Sequence, residues 1–393
     1  MSEAEASKKD SDSAVTIPEN GLVKLMYLFK LAKTGRQAVF LAAFLFSVVT
    51  FLPLFVLSIV SGTEFGGRVE MPVYKDSITL SRDLLVAPIL ILSDLAIRPW
   101  MAKSIERFES MIAIESLDSF KTMVARVFAV RNSMVADVIL LTFSFVLAIL
   151  GTGLTFAIDA SSWHIDAATG SLTPAGCYNA FFSQPLFRFI VMSWIFDYIL
   201  WVYFLFRVSS YRLKVIATHP DGVGGLSFIR ITQAQYGIAA FALSCAVCGV
   251  TAQAVHYLHM KLESFADMGL LFLVLMLIVF AGPLLAFTPQ LLNCKMSGTF
   301  TYGKLVGQLN RDFAGRWLGD EKTRDDKLID TGDPSALADM NGGYEAVMNM
   351  RPVLFDRTFL VGYIVVICLP ALPLVASVIP LKSLLKQIFD ALM

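Results

Sequence analysis

The chain has 393 residues, of which 56% are hydrophobic and only 16% are charged. A water-soluble domain usually carries about 25% charged residues, so the composition excludes an ordinary soluble fold. The 32 basic and 32 acidic residues balance each other, which leaves no net charge to attract nucleic acid. No motif indicates a cofactor, and we expect none.

The amino-terminal residues 1–20 are polar and low in complexity, and they predict a disordered cytoplasmic tail. Long apolar blocks follow, each near the roughly 20 residues that a helix needs to cross a bilayer. In hydrocarbon every backbone amide needs an internal partner, so such blocks become helices. We predict an all-α polytopic bundle within residues 21–381, with seven transmembrane helices at about 38–60, 82–99, 137–158, 189–206, 237–256, 268–289 and 359–381.

Lysine and arginine are distributed unevenly between the loops. Of the 32, 25 fall in the amino-terminal segment and in the loops after the second, fourth and sixth predicted spans. Because cytoplasmic loops are rich in these residues, the alternation predicts a cytoplasmic amino terminus and a periplasmic or extracellular carboxyl terminus. The second span is the weakest, because Arg82, Asp83, Asp94 and Arg98 crowd its apolar centre. A re-entrant hairpin is the alternative for it.

Three cytoplasmic loops are predicted, at 100–136, 207–236 and 290–358. Apolar residues at near-helical spacing predict one or two amphipathic helices in the first loop. In the third loop, Asp333 and Pro334 are typical of a helix start, and we expect that helix to break at Gly342 and Gly343. The amphipathic tail 382–393 is predicted to lie at the outer membrane interface.

Asp197 lies near the middle of the fourth predicted span. A carboxylate at that depth is expensive and usually faces the protein interior or a wet cavity. One interpretation is a proton or cation site on a pathway for an ion or solute, and the other is a structural hydrogen bond to a neighbouring helix. Trp194 and Tyr198 share a helical face close to it, and they predict either a cavity lining or ordinary packing.

Asp94 and Arg98 lie four residues apart, on one face of the second predicted span. The pair is a candidate gate at the cytoplasmic end of the same pathway. A local ion pair that lets both groups sit near the interface is the simpler interpretation. Pro88 weakens one backbone hydrogen bond within this span, and we expect a kink there.

The glycine-rich segment 217–228, which reads ATHPDGVGGLSF, is a candidate ligand or partner loop. His219 and Asp221 supply its polar groups, and Gly224 and Gly225 allow a tight left-handed backbone. In a phosphate loop the glycine-rich segment is followed by Gly-Lys-Ser or Gly-Lys-Thr, and neither motif follows this segment. A purely structural turn between the fourth and fifth spans is the alternative.

His256, His259 and Glu263 are the candidates for a metal site. Their spacings of three and seven residues would place them on one helical face beyond the fifth span. Zinc could bind there with one more ligand. Placement at the membrane interface explains the same residues without a metal.

Three stretches of the chain carry a resemblance to known proteins. They are RDLLVAP at 82–88 with Asp94, HPDGVGGL at 219–226 and GDPSALADM at 332–340. Together they extend over most of the chain after residue 75, and they resemble a group of bacterial multi-spanning inner-membrane proteins of unknown activity. The resemblance implies a bacterial inner membrane, and it implies no activity, cofactor or site residue.

The function that the sequence favours is a transporter or channel for a small ion or solute. Its pathway would include Asp197, with Asp94 and Arg98 at one end. The expected partner is the lipid bilayer, a cytoplasmic protein partner and a homo-oligomer of this chain stay open, and we expect no nucleic acid.

Two other functions stay open from the sequence. A signalling or scaffold component would bind a cytoplasmic protein partner through the loops 98–136, 217–235 and 290–358. A membrane enzyme using His219, Asp221 and Asp339 ranks last, because the sequence carries no recognised catalytic signature.

Overall fold

The computed structural model describes residues 17, 27, 35–65, 69–155, 162–166, 169–317 and 333–378. Across these ranges the chain is helical, and its extended pairings amount to three isolated β-bridges. The all-α class is therefore confirmed. The tails predicted at 1–20 (apart from Ile17) and at 382–393 lie outside the described residues.

The helices are joined by connections of different length, such as the single residue Ser133 and the residues 209–226. In chain order they are α1 (Gly35–Val60), α2 (Ser77–Leu80), α3 (Ala87–Met111), α4 (Ile114–Asn132), α5 (Met134–Thr155), α6 (Pro174–Tyr178), α7 (Gln184–Val208), α8 (Ser227–Gln235), α9 (Gly237–Tyr257), α10 (Ala266–Ala281), α11 (Thr288–Trp317), α12 (Asp333–Asn349), α13 (Arg357–Cys368) and α14 (Ala371–Val378). Two π turns, Ser81–Val86 and Asn179–Ser183, lead directly into α3 and α7.

Several helical stretches are long and apolar enough to cross a membrane. Within the described ranges there are five, namely Gly35–Val60, Met134–Gly151, Pro174–Val208, Ser227–Tyr257 and Leu262–Gly315. The bent pair α13 and α14 makes a sixth if its 49° break lies within one span. The protein is therefore a helical membrane bundle. The predicted second span at 82–99, which carries Arg82, Asp83, Asp94 and Arg98, is helical but is not among these stretches.

Apolar side chains cover the outside of the bundle. Only 11% of the Met134–Gly151 stretch is buried, and Phe44, Leu150 and Leu271 are 65%, 69% and 68% exposed. A soluble protein rarely carries so large an apolar surface. In hydrocarbon, however, this surface is the one expected on the outer face of a membrane bundle.

Proline explains the two π turns. Pro88 and Pro185 lie at the first positions of α3 and α7, and a π turn precedes each of them. Proline has no N–H to donate, and its ring clashes with the carbonyl four residues earlier. The backbone widens accordingly, and Ala87 N–H donates to the carbonyl of Arg82, five residues back. The disturbance expected at Pro88 thus takes the form of a π turn.

The segment predicted as the loop 290–358 is largely helical. α11 extends for 30 residues, and α12 packs back along it. Gly342 and Gly343 lie inside α12, so the predicted break there is wrong. Val347 of the same helix is completely buried, and such tertiary packing outweighs the roughly 1 kcal/mol that each glycine costs a helix.

The α11–α12 contact predicts opposite effects for two glycine-to-alanine changes. At Gly298 of α11, a Cβ would lie 2.7 Å from Ala217 Cβ and 3.0 Å from Val347 Cγ1, whereas nothing lies within 4 Å of a Cβ at Gly342. We expect Gly298→Ala to lower stability by about 1–3 kcal/mol through overpacking. Gly342→Ala should raise it by up to about 1 kcal/mol through helix propensity.

Thermal unfolding of the purified protein in detergent measures both effects, with each variant serving as the control for the other. Two shifts of the same sign would contradict the packing of α12 on α11.

Candidate functional site

A cavity opens between α3, α4 and α7, with an empty volume of about 690 Å³ that includes its open side. Four ionisable side chains line it: Asp94 and Arg98 from α3, Arg131 from the end of α4, and Asp197 from α7. The structure thus brings together the three residues that the sequence placed on one pathway, and it adds an arginine.

The four groups form two ion pairs. Arg98 Nη2 lies 2.9 Å from Asp94 Oδ2, which confirms the predicted local pair. Arg131 pairs with Asp197, and its Nη1 also lies 3.2 Å from Asp137 Oδ1. The side chain of Arg131 is only 5% exposed, whereas that of Asp197 is 29% exposed. The Asp197 carboxylate therefore has both a partner on a neighbouring helix and an open side.

The contacts of Asp197 also show where it lies along the length of the neighbouring helices. Arg131 ends α4 and Asp137 begins α5, so Asp197 lies opposite the junction of these two helices. The second half of α7 runs along α4, where Phe204 contacts Phe120 at a centroid distance of 6.3 Å. Asp197 is therefore level with the start of the apolar stretch of α5, and not with its middle.

Aromatic residues and one buried amide form the deep wall of the cavity. Trp194 and Tyr198 stack with ring centroids 5.6 Å apart, and Tyr236 packs edge-on against Tyr198 at 4.9 Å. Gln233 of α8, which is completely buried, accepts a hydrogen bond from Trp201 Nε1 at 3.1 Å and donates to Tyr198 Oη at 3.0 Å. These rings are thus both the cavity lining and tightly held packing.

The Gln233 amide joins more than the cavity wall. Its Nε2 also donates to the carbonyl of Phe280 at 2.8 Å, and its backbone carbonyl accepts from the hydroxyl of Tyr363. The polar groups of this one residue consequently tie α8 to α7, to α10 and to α13. They position the aromatic wall from behind.

A second polar cluster lies at the two π turns. Arg82 makes a two-pronged ion pair with Asp83, each contact being 2.8 Å long. Its Nη2 also donates to Asn179 Oδ1 at 2.9 Å and to Ser183 Oγ at 3.2 Å. Ser47 of α1 donates to the Asp83 carbonyl at 2.9 Å. Both charges are buried, and each is paired with the other and with polar side chains of the second π turn.

The two polar regions are far apart along the same helices. From Ser183 to Asp197 there are 14 residues, or about 21 Å at the 1.5 Å rise of a helix. Trp163 covers the π-turn end, where its Nε1 donates to Asp76 Oδ2 at 3.0 Å. His164 stacks on Trp163 with centroids 3.7 Å apart. Burial lowers the pKa of His164 to about 4, and the imidazole is neutral at physiological pH.

The side chain of Asp221 holds the candidate loop at 217–228 together through hydrogen bonds to the backbone of the same loop. The Asp221 carboxylate accepts from the backbone N–H groups of Val223 at 2.9 Å, Gly225 at 3.0 Å and Ser227 at 3.1 Å. Its Oδ1 also lies 2.9 Å from His219 Nδ1. These contacts occupy the carboxylate, and they favour the structural interpretation of the loop over a ligand site.

Glycine is required where this loop packs. Gly224 has a φ of +67°, and a Cβ there would lie 2.1 Å from Val215 Cγ1. Gly225, with a φ of +92°, faces the ring of His219. The Gly222 carbonyl accepts from the backbone N–H of Arg351 at 2.8 Å. The stretch 219–226 therefore contacts the segment that follows the stretch 332–340.

An arginine–carboxylate cluster continues this docking. Asp356 caps α13 by accepting from Phe359 N–H at 2.9 Å, and it pairs with Arg351 at 2.9 Å and with Arg230 of α8. The Phe359 N–H, together with the two arginines, lowers the pKa of Asp356. Through Arg351 and Arg230, the start of α13 is attached to the 217–228 loop and to α8.

The predicted metal site is not assembled. α9 ends at Tyr257, and His259 takes a left-handed φ of +52°. His256, His259 and Glu263 therefore do not share a helical face, and the one-face arrangement is wrong. Among the described residues no group of three or more His, Cys, Asp or Glu side chains is placed to hold a metal ion.

The residues suggested for an enzyme are also separated. Asp339 is exposed on α12, ten residues before the helix end at Asn349. That distance is about 15 Å along the helix, and it is the following segment that meets the 217–228 loop. The structure brings His219 and Asp221 together without Asp339.

Sequence reasoning missed Arg131, Asn179 and Ser183 as site residues. Arg131 was assigned to a loop, although it lies three residues before the apolar run of α5. That position is the signal that could have suggested a partner inside the membrane boundary. Asn179 and Ser183 carry no comparable signal, because their role depends on a contact with Arg82, about 100 residues away in sequence.

Comparison with family models, with curated proteins and with solved structures found no match for this chain. The resemblance of the three stretches accordingly stays a prediction.

The loop at 217–228 predicts a pH dependence of stability. Partial burial alone would raise the pKa of Asp221, but the N–H groups of Val223, Gly225 and Ser227 hold it below its ordinary value. Because the folded pKa is depressed, this stabilisation is complete above the unfolded pKa of about 4 and is lost as the pH falls through the folded value.

We expect Asp221→Ala to lower the free energy of unfolding at pH 7 by about 2–3 kcal/mol. The variant should also lose sensitivity to acid between about pH 5 and pH 3. Thermal unfolding in detergent across this range measures both effects, and Asp339→Ala, at an exposed carboxylate, is the control. Equal stability of Asp221→Ala and the control at pH 7 would contradict the structural role.

Proposed function

We propose that the protein moves a small ion or solute across a bacterial inner membrane, and that the cavity of Asp94, Arg98, Arg131 and Asp197 is its binding site. We propose further that the chain crosses the membrane seven times, with segment 82–99 as the second crossing and the amino terminus in the cytoplasm. The distribution of lysine and arginine supports this orientation.

One observation carries the proposal, namely that two ion pairs face one cavity inside a membrane bundle. Ionisable groups within membrane helices usually mark substrate or ion pathways, because placing them there is unfavourable. A single buried pair could be purely structural. Two pairs from three helices that share an open cavity, with aromatic rings behind them, are more easily explained by a ligand.

The pairing suggests how a ligand would bind. Asp94 and Asp197 bring two negative charges to the cavity, Arg98 and Arg131 bring two positive charges, and Asp137 adds a third carboxylate beside Arg131. A cation that binds Asp197 must take the place of Arg131, and the guanidinium still has Asp137 at 3.2 Å. Protonation of Asp197 would release Arg131 in the same way. This exchange favours a proton or a small cation as the transported species, because the displaced charge keeps a partner.

The π-turn cluster supports a pathway with one closed end. Arg82 and Asp83 are buried, and they are paired across both π turns. Short π turns within α-helices are frequent at functional sites. In this proposal the Arg82 cluster is the barrier that opens when the cavity at Asp197 closes.

Flux measurements test the transport proposal. Proteoliposomes loaded with a pH-sensitive dye report proton flux under an imposed membrane potential, and isotope uptake reports Na⁺ and K⁺. We expect the wild-type protein to carry at least one of these cations and Asp197→Asn to reduce that flux at least about tenfold, because an exchangeable charge is lost.

Asp118→Asn is the matched control, because Asp118 is an exposed carboxylate on α4 outside the cavity, and its flux should equal that of the wild type. Flux that is indifferent to Asp197→Asn would remove this residue from the pathway. The absence of all three cation fluxes from wild-type proteoliposomes would contradict a cation as the transported species.

A scaffold function is the second candidate, and the surface of α11 favours it. Leu292, Met296 and Phe300 lie at intervals of four residues, and they are 42%, 57% and 76% exposed. The three residues lie in the carboxyl-terminal part of the long apolar stretch Leu262–Gly315, and such an apolar stripe along one helix face is typical of a protein-binding surface. It lies within the loop 290–358, for which a cytoplasmic partner was predicted.

Crosslinking in native membranes followed by affinity purification tests the scaffold function. We expect a reproducible partner that is lost from Met296→Ser/Phe300→Ser, because the apolar contact area is removed. The control is Ile199→Ser/Phe206→Ser, which alters an exposed apolar pair on α7. Equal loss of the partner from both double variants would count against a site on α11.

A further inference from the structure

A groove runs along the outer side of α4 and α7, separate from the cavity but sharing its wall. Its empty volume is about 830 Å³, its open side included, and Val127 and Leu200 line both the groove and the cavity. The groove is more polar than the cavity. Hydroxyl groups of Ser119, Thr122 and Tyr211 line one end of it.

The charged side chains of the groove are all positive. Arg126 of α4 and Arg207 of α7 line it from opposite sides. Within the described ranges, neither arginine has a carboxylate at ion-pair distance, unlike Arg98 and Arg131 in the cavity. Asp118 neighbours Ser119 in sequence but does not line the groove. Two guanidinium groups without a carboxylate partner in these ranges form a site for an anion with several acceptor oxygens.

Of the hydroxyl groups that line the groove, that of Thr122 donates to the Asp118 carbonyl at 2.8 Å. Those of Ser119 and Tyr211 bond to each other at 3.1 Å, which leaves one of the two O–H groups to donate.

The apolar end of the groove extends towards the membrane. Val130, Leu200 and Tyr203 line this end, and Tyr203 is 50% exposed. Helix α4 ends at Asn132, six residues or about 9 Å along the helix after Arg126. Met134, at the start of the apolar helix α5, is 80% exposed. The arginines are therefore close to the edge of the hydrocarbon, where tyrosine is enriched.

We infer that this groove binds one anionic phospholipid. The phosphate contacts Arg126 and Arg207, and an acyl chain lies along Val130, Leu200 and Tyr203. The one O–H group of the Ser119–Tyr211 pair that is not used in their mutual bond donates to another headgroup oxygen. The charge complementarity selects an anion, and the adjoining apolar surface selects one that carries a chain. Because the groove and the cavity share a wall, the lipid also holds α4 against α7.

Lipid binding to the purified full-length protein in detergent tests this inference. Thermal unfolding is measured with added phosphatidylglycerol, with phosphatidylethanolamine of the same chains, and with inorganic phosphate. We expect phosphatidylglycerol to stabilise the protein at concentrations at least about tenfold lower than phosphatidylethanolamine, and phosphate to have no effect, because only the first supplies both the net charge and the chain.

The variant Arg126→Gln/Arg207→Gln should lose this preference, and Arg126→Lys/Arg207→Lys should keep part of it, because lysine retains the charge without the forked geometry. Arg311→Gln/Arg357→Gln removes the same charge from exposed positions elsewhere and is the control. If the glutamine pair fails to fold, the lysine pair and the comparison of lipids on the wild-type protein still decide the question.

Three results would overturn the inference. An unchanged lipid preference in the glutamine pair would show that the arginines do not select the lipid. Equal loss in the control would reduce the effect to net charge. Stabilisation by inorganic phosphate alone, or a dimer through this groove that does not respond to lipid, would assign the groove to another occupant. None of these measurements depends on the transport activity.

Discussion

In a bundle surrounded by hydrocarbon, a buried polar group can be satisfied only by another group of the same protein. Gln233 illustrates the consequence, because its amide and its carbonyl reach Trp201, Tyr198, Phe280 and Tyr363 on three other helices. Each of these bonds replaces one that water would have made, and leaving a buried donor or acceptor unpaired costs about 1–3 kcal/mol. The arrangement of α7, α8, α10 and α13 follows from this requirement, and the aromatic wall of the cavity is attached to it.

The same requirement separates the two groups of ionised residues. Arg82 and Asp83 are buried and bond to each other, and Arg82 also donates to Asn179 and Ser183. Removing one partner from such a buried pair typically costs about 3–5 kcal/mol, which suits a closure that must hold. The ion pair at Asp197 differs in two respects. Arg131 lies at ion-pair distance from two carboxylates, those of Asp137 and Asp197, and the side chain of Asp197 is partly exposed. In the proposed transport function, a ligand at Asp197 would exchange places with Arg131, which keeps Asp137 as a partner.

Local sequence rules were reliable where a single helix decides the outcome. The spacing of four between Asp94 and Arg98 produced the ion pair that the helical period predicts. The same local rules failed where contacts with another segment, or the end of a helix, decide the structure. The break expected at Gly342 and Gly343 is absent, because α12 lies against α11. The face expected for His256 and His259 is absent too, because α9 ends between them. Pro88 disturbed its helix as expected, but the π turn that resulted also serves to hold Arg82.

The sequence by itself determined the membrane character, the helical class and the presence of ionisable residues within apolar surroundings, because composition and the helical period depend only on the order of residues along the chain. Tertiary structure alone decided that Arg131 meets Asp197, that Arg82 meets Asn179 and that Gly222 meets Arg351. These partners lie 66, 97 and 129 positions apart. Contacts over such separations arise from the packing of helices on one another, and no local pattern encodes which faces will meet.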